Sequence, residues 1–90
     1  MLEELLKKEV SIVTFSPSSE KLGAKVYFGK VIGVNEEYLV LDCYESKYVF
    51  FMGFTGQKNV TKINISNIDK SKPKKIYLRR TFIASIEVIE

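Results

Sequence analysis

The chain has 90 residues, of which 46% are hydrophobic and 28% are charged, and its formal net charge is +3. This balance is typical of a folded globular protein and excludes a disordered one, and the length predicts a single domain over residues 1–90. No apolar run approaches the roughly 20 residues of a membrane-spanning helix, and the N-terminus lacks the pattern of a signal peptide. We therefore expect a cytoplasmic protein with no membrane partner.

The absence of histidine argues against catalysis. Histidine is the commonest general base and the commonest metal ligand, and it usually activates a nucleophilic cysteine. The single cysteine, Cys43, lies in an apolar alternating stretch, which predicts a small core or half-buried residue. The sequence thus predicts a protein that is not an enzyme, with no metal, no cofactor and no small-molecule substrate.

Positive charge is concentrated in the C-terminal half of the chain. Residues 58–80 contain eight lysines and arginines against one aspartate, so this segment has a net charge of +7. A basic segment on an otherwise acidic protein is a candidate for contact with phosphates or with an acidic partner. The alternative is a solvated lysine-rich loop.

The N-terminal segment has helical spacing. Leu2, Leu5 and Leu6 recur on one side, and glutamates precede lysines by four residues. This predicts a short amphipathic helix over residues 1–9, whose leucines pack on the rest of the fold.

From Val10 the period changes to two, which predicts strands. Ser11–Phe15 is the first predicted strand and Lys25–Val34 the second. On the second, Gly29 and Gly33 lie on one face, where missing side chains permit a sharp bend. The alternation assigns the opposite face to Val26, Phe28, Ile32 and Val34.

The middle of the chain predicts further strands. Asn35–Glu37 is a polar turn leading into a strand over Tyr38–Tyr44, and Glu45–Lys47 is predicted as another turn. The next predicted strand, Tyr48–Phe54, has aromatic residues expected in the core, and Val60–Ile65 alternates weakly. The aromatic residues concerned are Tyr48, Phe50, Phe51 and Phe54.

The C-terminal part combines a basic loop with two strands. Residues 66–75 are predicted as the loop, followed by a short strand Ile76–Leu78, a turn Arg79–Thr81 and a last strand Phe82–Ile89. The fold expected is mostly β, a short N-terminal helix followed by a strongly bent antiparallel barrel of five to six strands. Because oligonucleotide-binding barrels usually insert their helix mid-chain, the helix-first order favours an SH3-like barrel.

Two stretches resemble the Sm-like (LSm) family of RNA-associated, ring-forming proteins. Residues 29–42 resemble the first Sm motif, in which a glycine on the bent second strand precedes an Asp-containing turn and a third strand. Residues 78–86 resemble the second motif, in which an apolar residue and Arg-Gly lead into the last strand. The resemblance, with the helix, covers about two thirds of the chain and implies an SH3-like barrel that assembles through strand edges and binds RNA.

The chain departs from the family at the base pocket. Asn35 is the nearest counterpart of the family's Asp, and the base-binding Asn has no clear counterpart. Arg79 matches the family's arginine, whereas Arg80 replaces the glycine and Phe82 stands where a polar residue is usual. The resemblance therefore carries over Arg79 more firmly than any other pocket residue.

Two functions follow as hypotheses. The first is binding of single-stranded RNA by a homo-oligomeric scaffold, with arginine and aromatic side chains stacking on bases and lysines neutralising phosphates. The residues predicted to bind are Arg79, Arg80, Tyr77, Lys72, Lys74, Lys75 and Asn35. The second is a protein-interaction or assembly module that uses open strand edges and has no nucleic-acid ligand.

Overall fold

The computed structural model describes residues 2–15, 23–50 and 67–89. The weak strand predicted over Val60–Ile65 and the predicted core positions Phe51 and Phe54 lie outside these ranges.

The described residues form one antiparallel sheet of five strands in the order β4-β3-β2-β1-β5. The mostly β, antiparallel prediction is thereby confirmed, while closure of the sheet into a barrel stays a prediction. In the described part of the chain β4 and β5 are the two end strands of this order. The strands are β1 (Glu9–Phe15), β2 (Gly23–Val34), β3 (Tyr38–Phe50), β4 (Lys74–Arg79) and β5 (Ile83–Val88).

The predicted helix over residues 1–9 is wrong. A 3-10 turn covers only Leu2–Leu5, Lys7 has a left-handed backbone with φ of 68°, and β1 begins at Glu9. An isolated helix of two turns has little stability in water. The backbone of Val31 instead provides hydrogen-bond partners for the backbones of Lys7 and Lys8. The Lys7 N–H donates to the Val31 carbonyl at 2.7 Å, and the Val31 N–H donates to the Lys8 carbonyl at 3.1 Å. Leu2 and Leu5 nevertheless pack against the core, as their spacing predicts.

Strand β2 changes its buried face along its length. Its pairing with β3 shifts register between Phe28 and Gly29 and again between Val31 and Gly33. A β-bulge bends a strand and re-aims its side chains, so both glycines lie at the irregularities that the sequence predicts. The predicted common face of Val26, Phe28, Ile32 and Val34 is wrong: Val26 and Phe28 form one cluster, whereas Val34 packs on the other.

Gly29 is required by the close approach of β3. A Cβ built on Gly29 would overlap the carbonyl oxygen of Asp42, which is part of the β3 backbone. On Gly33 the nearest atom would be the Val40 Cγ2, at 3.4 Å, a contact that a small adjustment relieves. The β3 backbone therefore excludes a side chain at Gly29, whereas Gly33 can accommodate a methyl group after a small adjustment.

Strand β3 is longer than predicted. It runs unbroken from Tyr38 to Phe50, so the turn predicted over Glu45–Lys47 is wrong. Lys47 pairs with Val26 and Tyr48 with Lys25, and pairing with β2 overrides the polar composition of this stretch. Tyr48 is 64% exposed, so its predicted place in the core is also wrong.

The core divides into two clusters. The larger cluster joins β1, β2, β3 and β4, and its buried members are Val10, Ile12, Val31, Leu39, Leu41, Cys43 and Leu78. The smaller cluster contains the buried Val26 and Phe28, on which Val13, Tyr44, Ile68 and Ile89 pack. The burial of Cys43 agrees with the sequence prediction.

Residues 68–70 cover the smaller cluster. Ile68 packs against it, and the Lys70 Nζ lies 5.6 Å from the ring centroid of Phe28 and 5.8 Å from that of Tyr44. The same ammonium group makes a salt bridge of 3.0 Å with Glu9. This part of the predicted basic loop is therefore packed on the sheet.

No helix within residues 2–15, 23–50 and 67–89 has the length and apolar character needed to cross a membrane.

Candidate nucleic-acid interface

The β3–β4 register brings the β2–β3 turn beside the end of β4. Tyr38 pairs with Arg79, and Val40 pairs with Tyr77. Leu78, between the two β4 residues, is buried in the larger core cluster. Because successive strand residues point to opposite faces, Tyr77 and Arg79 project from the face away from that core, next to Tyr38.

Asn35 fixes the conformation of the turn. Its Oδ1 accepts hydrogen bonds from the N–H groups of Glu37, at 2.8 Å, and Tyr38, at 2.7 Å. Its own N–H donates to the Tyr38 carbonyl at 2.9 Å. Side-chain hydrogen bonds to the backbone two or three residues on are typical of asparagine in turns. The structure thus gives the Asn35 Oδ1 a role in shaping the turn.

Arg80 ties the turn to the end of β4. Its N–H donates to the Glu37 carbonyl at 2.8 Å, and its Nη1 donates to the Asn35 carbonyl at 2.7 Å. A 3-10 turn over Arg80–Phe82 then leads into β5. Arg80 is therefore a support for the site, holding two segments that are distant in the chain.

Tyr38, Tyr77 and Arg79 form what we call the stacking cluster. The Arg79 guanidinium carbon lies 5.2 Å from the Tyr38 ring centroid, and its Nη2 donates to the Tyr38 hydroxyl at 3.0 Å. The Tyr38 and Tyr77 rings meet edge to face at 88°, with centroids 6.1 Å apart. Tyr77 is 59% exposed, so the cluster presents a cation and an aromatic surface to solvent.

One carboxylate lies at the border of the stacking cluster. The Glu37 Oε2 is 3.9 Å from the Arg79 Nη1, and the two side chains are 69% and 48% exposed. Exposed ion pairs of this length contribute little to stability. The pair places an anionic acceptor and a cationic donor side by side on the surface.

The predicted site residues separate into two groups. Tyr77, Arg79, Arg80 and Asn35 come together at the β2–β3 turn, whereas the predicted lysines do not. Lys74 and Lys75 pair with Cys43 and Asp42 near the other end of β4, and Lys72 precedes the strand and is exposed. At about 3.3 Å per strand residue, Lys75 lies roughly 13 Å from Arg79 along the face that they share.

Sequence reasoning omitted two residues of this site. The sequence predicts Tyr38 as the start of a strand and Glu37 as part of a polar turn and assigns neither to the site, but both lie beside Arg79. The contact depends on the β3–β4 register, which short-range patterns do not encode. The available signal was the resemblance itself, which brings the first and second motifs together.

Cys43 belongs to the core and not to this site. Burial raises the pKa of its thiol, and the S–H donates to the Glu45 carbonyl at 3.3 Å. A raised pKa keeps a thiol protonated and unreactive at neutral pH. Among the described residues, no group of three or more cysteine, aspartate or glutamate side chains is arranged to hold a metal ion.

No protein-family model, no curated protein and no solved structure matches the chain. The chemistry of the stacking cluster is therefore the basis for assigning a role to the site.

Proposed function

We propose that this protein binds single-stranded RNA through the stacking cluster and acts as a non-catalytic, homo-oligomeric scaffold of the Sm-like type in the cytoplasm. The observation behind the proposal is the surface formed by the exposed Tyr77 ring and Arg79 guanidinium beside the half-buried Tyr38 ring. Unpaired bases stack on tyrosine rings and on guanidinium planes, whereas bases inside a duplex are not available for such contacts.

Rigid support of the cluster favours binding. Asn35 and Arg80 hold the turn by hydrogen bonds of 2.7 to 2.9 Å, so little order has to be gained when a base docks. Lys75, on the same face of β4, supplies further positive charge for a phosphate a few nucleotides away. Lys75 and Arg79 are thus two cations on one face of β4, which favours an anionic ligand.

Binding is measured by fluorescence anisotropy with a labelled single-stranded RNA decamer and with the same sequence as a duplex. We expect the single strand to bind more tightly, and its affinity to fall steeply between about 50 and 200 mM salt. Arg79→Ala is expected to weaken binding about tenfold, since it removes both a stacking surface and a charge. Equal binding of single strand and duplex, or an unchanged affinity of Arg79→Ala, would refute the proposed site.

The matched control is Lys47→Ala. Lys47 is exposed on β3 and pairs with Val26, toward the opposite end of β3 from Tyr38. This substitution removes the same charge without touching the stacking cluster. We expect its affinity to stay close to that of the unmodified protein, and a loss equal to that of Arg79→Ala would mean that only net charge matters.

The proposed assembly uses the end strands of the sheet. Within the described residues β4 pairs with β3 and β5 pairs with β1, so each has a second edge for another copy. Beside β5, Phe82 is 41% exposed, and on it Val88 is 46% exposed. A head-to-tail contact between one copy's β4 and the next copy's β5 closes into a ring when the rotation permits.

Native mass spectrometry tests the assembly. We expect a discrete particle of several copies, and Val88→Lys is expected to dissociate it because lysine on an edge strand opposes strand pairing. Leu6→Lys is the control, since Leu6 is similarly exposed but lies outside the strands. A monomeric unmodified protein at high concentration would contradict the assembly.

The second candidate is an assembly or protein-interaction module without a nucleic-acid ligand. It is favoured by the apolar exposure at Phe82 and Val88, which a partner chain would cover. Under this alternative the particle forms, but the RNA decamer does not bind at low salt. The anisotropy and mass measurements together therefore separate the two candidates.

A further inference from the structure

The carboxylate of Glu37 lies within the RNA site that we propose, and its chemistry bears on which base the site accepts. The Glu37 backbone is held on both sides: its N–H donates to the Asn35 Oδ1 at 2.8 Å, and its carbonyl accepts from the Arg80 N–H at 2.8 Å. The side chain is 69% exposed beside Arg79. The chain thus presents a carboxylate, carried on a well-held backbone, beside the cation and the aromatic rings of the stacking cluster.

The two charged groups retain their capacity for further hydrogen bonds. The distance of 3.9 Å between the Glu37 Oε2 and the Arg79 Nη1 exceeds the 2.7 to 2.9 Å of a charge-assisted hydrogen bond. An ionised carboxylate is only an acceptor and a guanidinium is only a donor. A ligand edge that matches the pair must therefore offer N–H donors to Glu37 and an acceptor to Arg79.

Guanine has the best-matched Watson–Crick edge among the four bases. Its N1–H and N2–H₂ are adjacent donors that can bind both oxygens of one carboxylate, and its O6 beside them accepts from arginine. Adenine and cytosine each offer one amino group and thus a single contact to the carboxylate. Uracil offers one N–H between two carbonyl oxygens, so one carbonyl would face the carboxylate unfavourably.

The neighbouring tyrosine provides a place for the base. Tyr77 is two residues before Arg79 on the same strand and face, about 6.6 Å away along the strand, and it is 59% exposed. A purine stacked on this ring extends its edge toward Arg79 and the turn. The larger ring system of a purine also stacks over more of the tyrosine than a pyrimidine does.

We infer that the site prefers guanine, with Glu37 binding N1–H and N2–H₂, Arg79 binding O6 and Tyr77 stacking on the base. This inference rests on the proposed function, since it names the base that the same site selects. The Glu37 carboxylate repels phosphate and so weakens non-specific binding. Because it also accepts hydrogen bonds from guanine, the same charge provides base specificity.

The test compares labelled single-stranded decamers by anisotropy at low salt: all uridine, the same with two central guanosines, with two central inosines, and with two central adenosines. Inosine keeps O6 and N1–H but lacks the N2 amino group. We expect the guanosine decamer to bind about tenfold more tightly than the uridine decamer, with inosine and adenosine between them.

Two variants assign the preference to a residue. Glu37→Gln is expected to abolish the difference between guanosine and inosine and to bind the uridine decamer at least as well as the unmodified protein does. Glu36→Gln removes the same charge from the same turn and is expected to keep the guanosine preference. Equal affinities for the guanosine and uridine decamers, or equal effects of the two variants, would overturn the inference while leaving RNA binding intact.

Failure of the proposed function has a different signature. If the folded protein binds none of the four decamers, both the RNA site and its base preference are refuted. If all four bind, with equal affinity and with a loss in Arg79→Ala, only the guanine preference is refuted.

Discussion

The Arg79 guanidinium and the Tyr38 phenol meet across the β3–β4 pair, although they are 41 residues apart in the chain. Their backbones are register partners, and the side chains add a hydrogen bond of 3.0 Å and a cation–π contact with the guanidinium carbon 5.2 Å from the ring centroid. The pair unites the turn after β2 with the end of β4. Both the proposed RNA site and its proposed base preference depend on this contact.

The planar guanidinium is the property of Arg79 that we expect RNA binding to need. Arg79→Lys keeps the charge but loses the plane and the fixed fork of donors, so we predict an affinity several-fold lower for single-stranded RNA. Tyr38→Phe keeps the ring and removes only the hydroxyl that orients Arg79, so a smaller loss of about twofold is expected. Anisotropy measures the RNA affinity of both variants. Equal losses of affinity would mean that the orientation of Arg79 by the Tyr38 hydroxyl matters more than stacking by the guanidinium plane.

Close packing at Gly29 predicts a large difference between two glycine substitutions. Gly29→Ala forces a methyl group into the Asp42 carbonyl of β3, so we expect it to lower the free energy of unfolding by about 3 kcal/mol. Gly33→Ala meets only the Val40 side chain at 3.4 Å, and a change within about 1 kcal/mol is expected. Urea unfolding of both variants measures the difference. Similar changes in the free energy of unfolding for the two variants would contradict this prediction, because they would mean that β3 can move away from Gly29 at little cost.

The local features of the sheet were predictable and the contacts between distant segments were not. The turn at Asn35–Glu37 and the two glycines of β2 have short-range signatures that the structure confirms. The composition of Glu45–Lys47 is that of a turn, yet β3 continues through it because β2 pairs along its whole length. Propensity is a weak guide where tertiary pairing decides.

The composition of the site was foreseen in part. Tyr77, Arg79, Arg80 and Asn35 do converge, but the role of Arg80 in holding the turn follows only from its hydrogen bonds to the carbonyls of Asn35 and Glu37, which are distant in the chain. The net charge of residues 58–80 also includes Lys70 among the lysines of the basic segment. Its ammonium is instead engaged by Glu9 and by two aromatic rings.

Lys70 is expected to contribute to stability rather than to RNA binding. Lys70→Ala removes the salt bridge with Glu9 and the cation–π contacts with Phe28 and Tyr44, which we expect to cost about 1 kcal/mol at low salt. A double-mutant cycle with Glu9→Ala isolates the ion pair, whose share should shrink as salt is added. Lys72→Ala is the control, and an equal loss there would contradict the role of Lys70.

Cys43 predicts a decline of stability in alkaline solution. Its folded-state pKa is raised above the ordinary value of 9.0 by burial, so the unfolded chain ionises first as the pH increases. The contribution of the buried neutral thiol is complete below about pH 9 and is lost progressively above it. Unfolding midpoints of the unmodified protein should therefore fall more steeply above pH 9 than those of Cys43→Ala. Parallel curves for the two proteins would contradict this prediction.

Photo-crosslinking maps the RNA contact most directly. A single-stranded decamer containing 4-thiouridine is irradiated with the intact protein, and the modified residues are identified after trypsin digestion. If the stacking cluster binds RNA, the crosslinks fall on Tyr77, in the peptide of residues 76–79, and on Tyr38, in the peptide of residues 31–47, and their yield at sub-saturating RNA falls strongly in Arg79→Ala. Crosslinks confined to Tyr27 and Tyr48, at the other end of the β2–β3 pair, would contradict the proposed site.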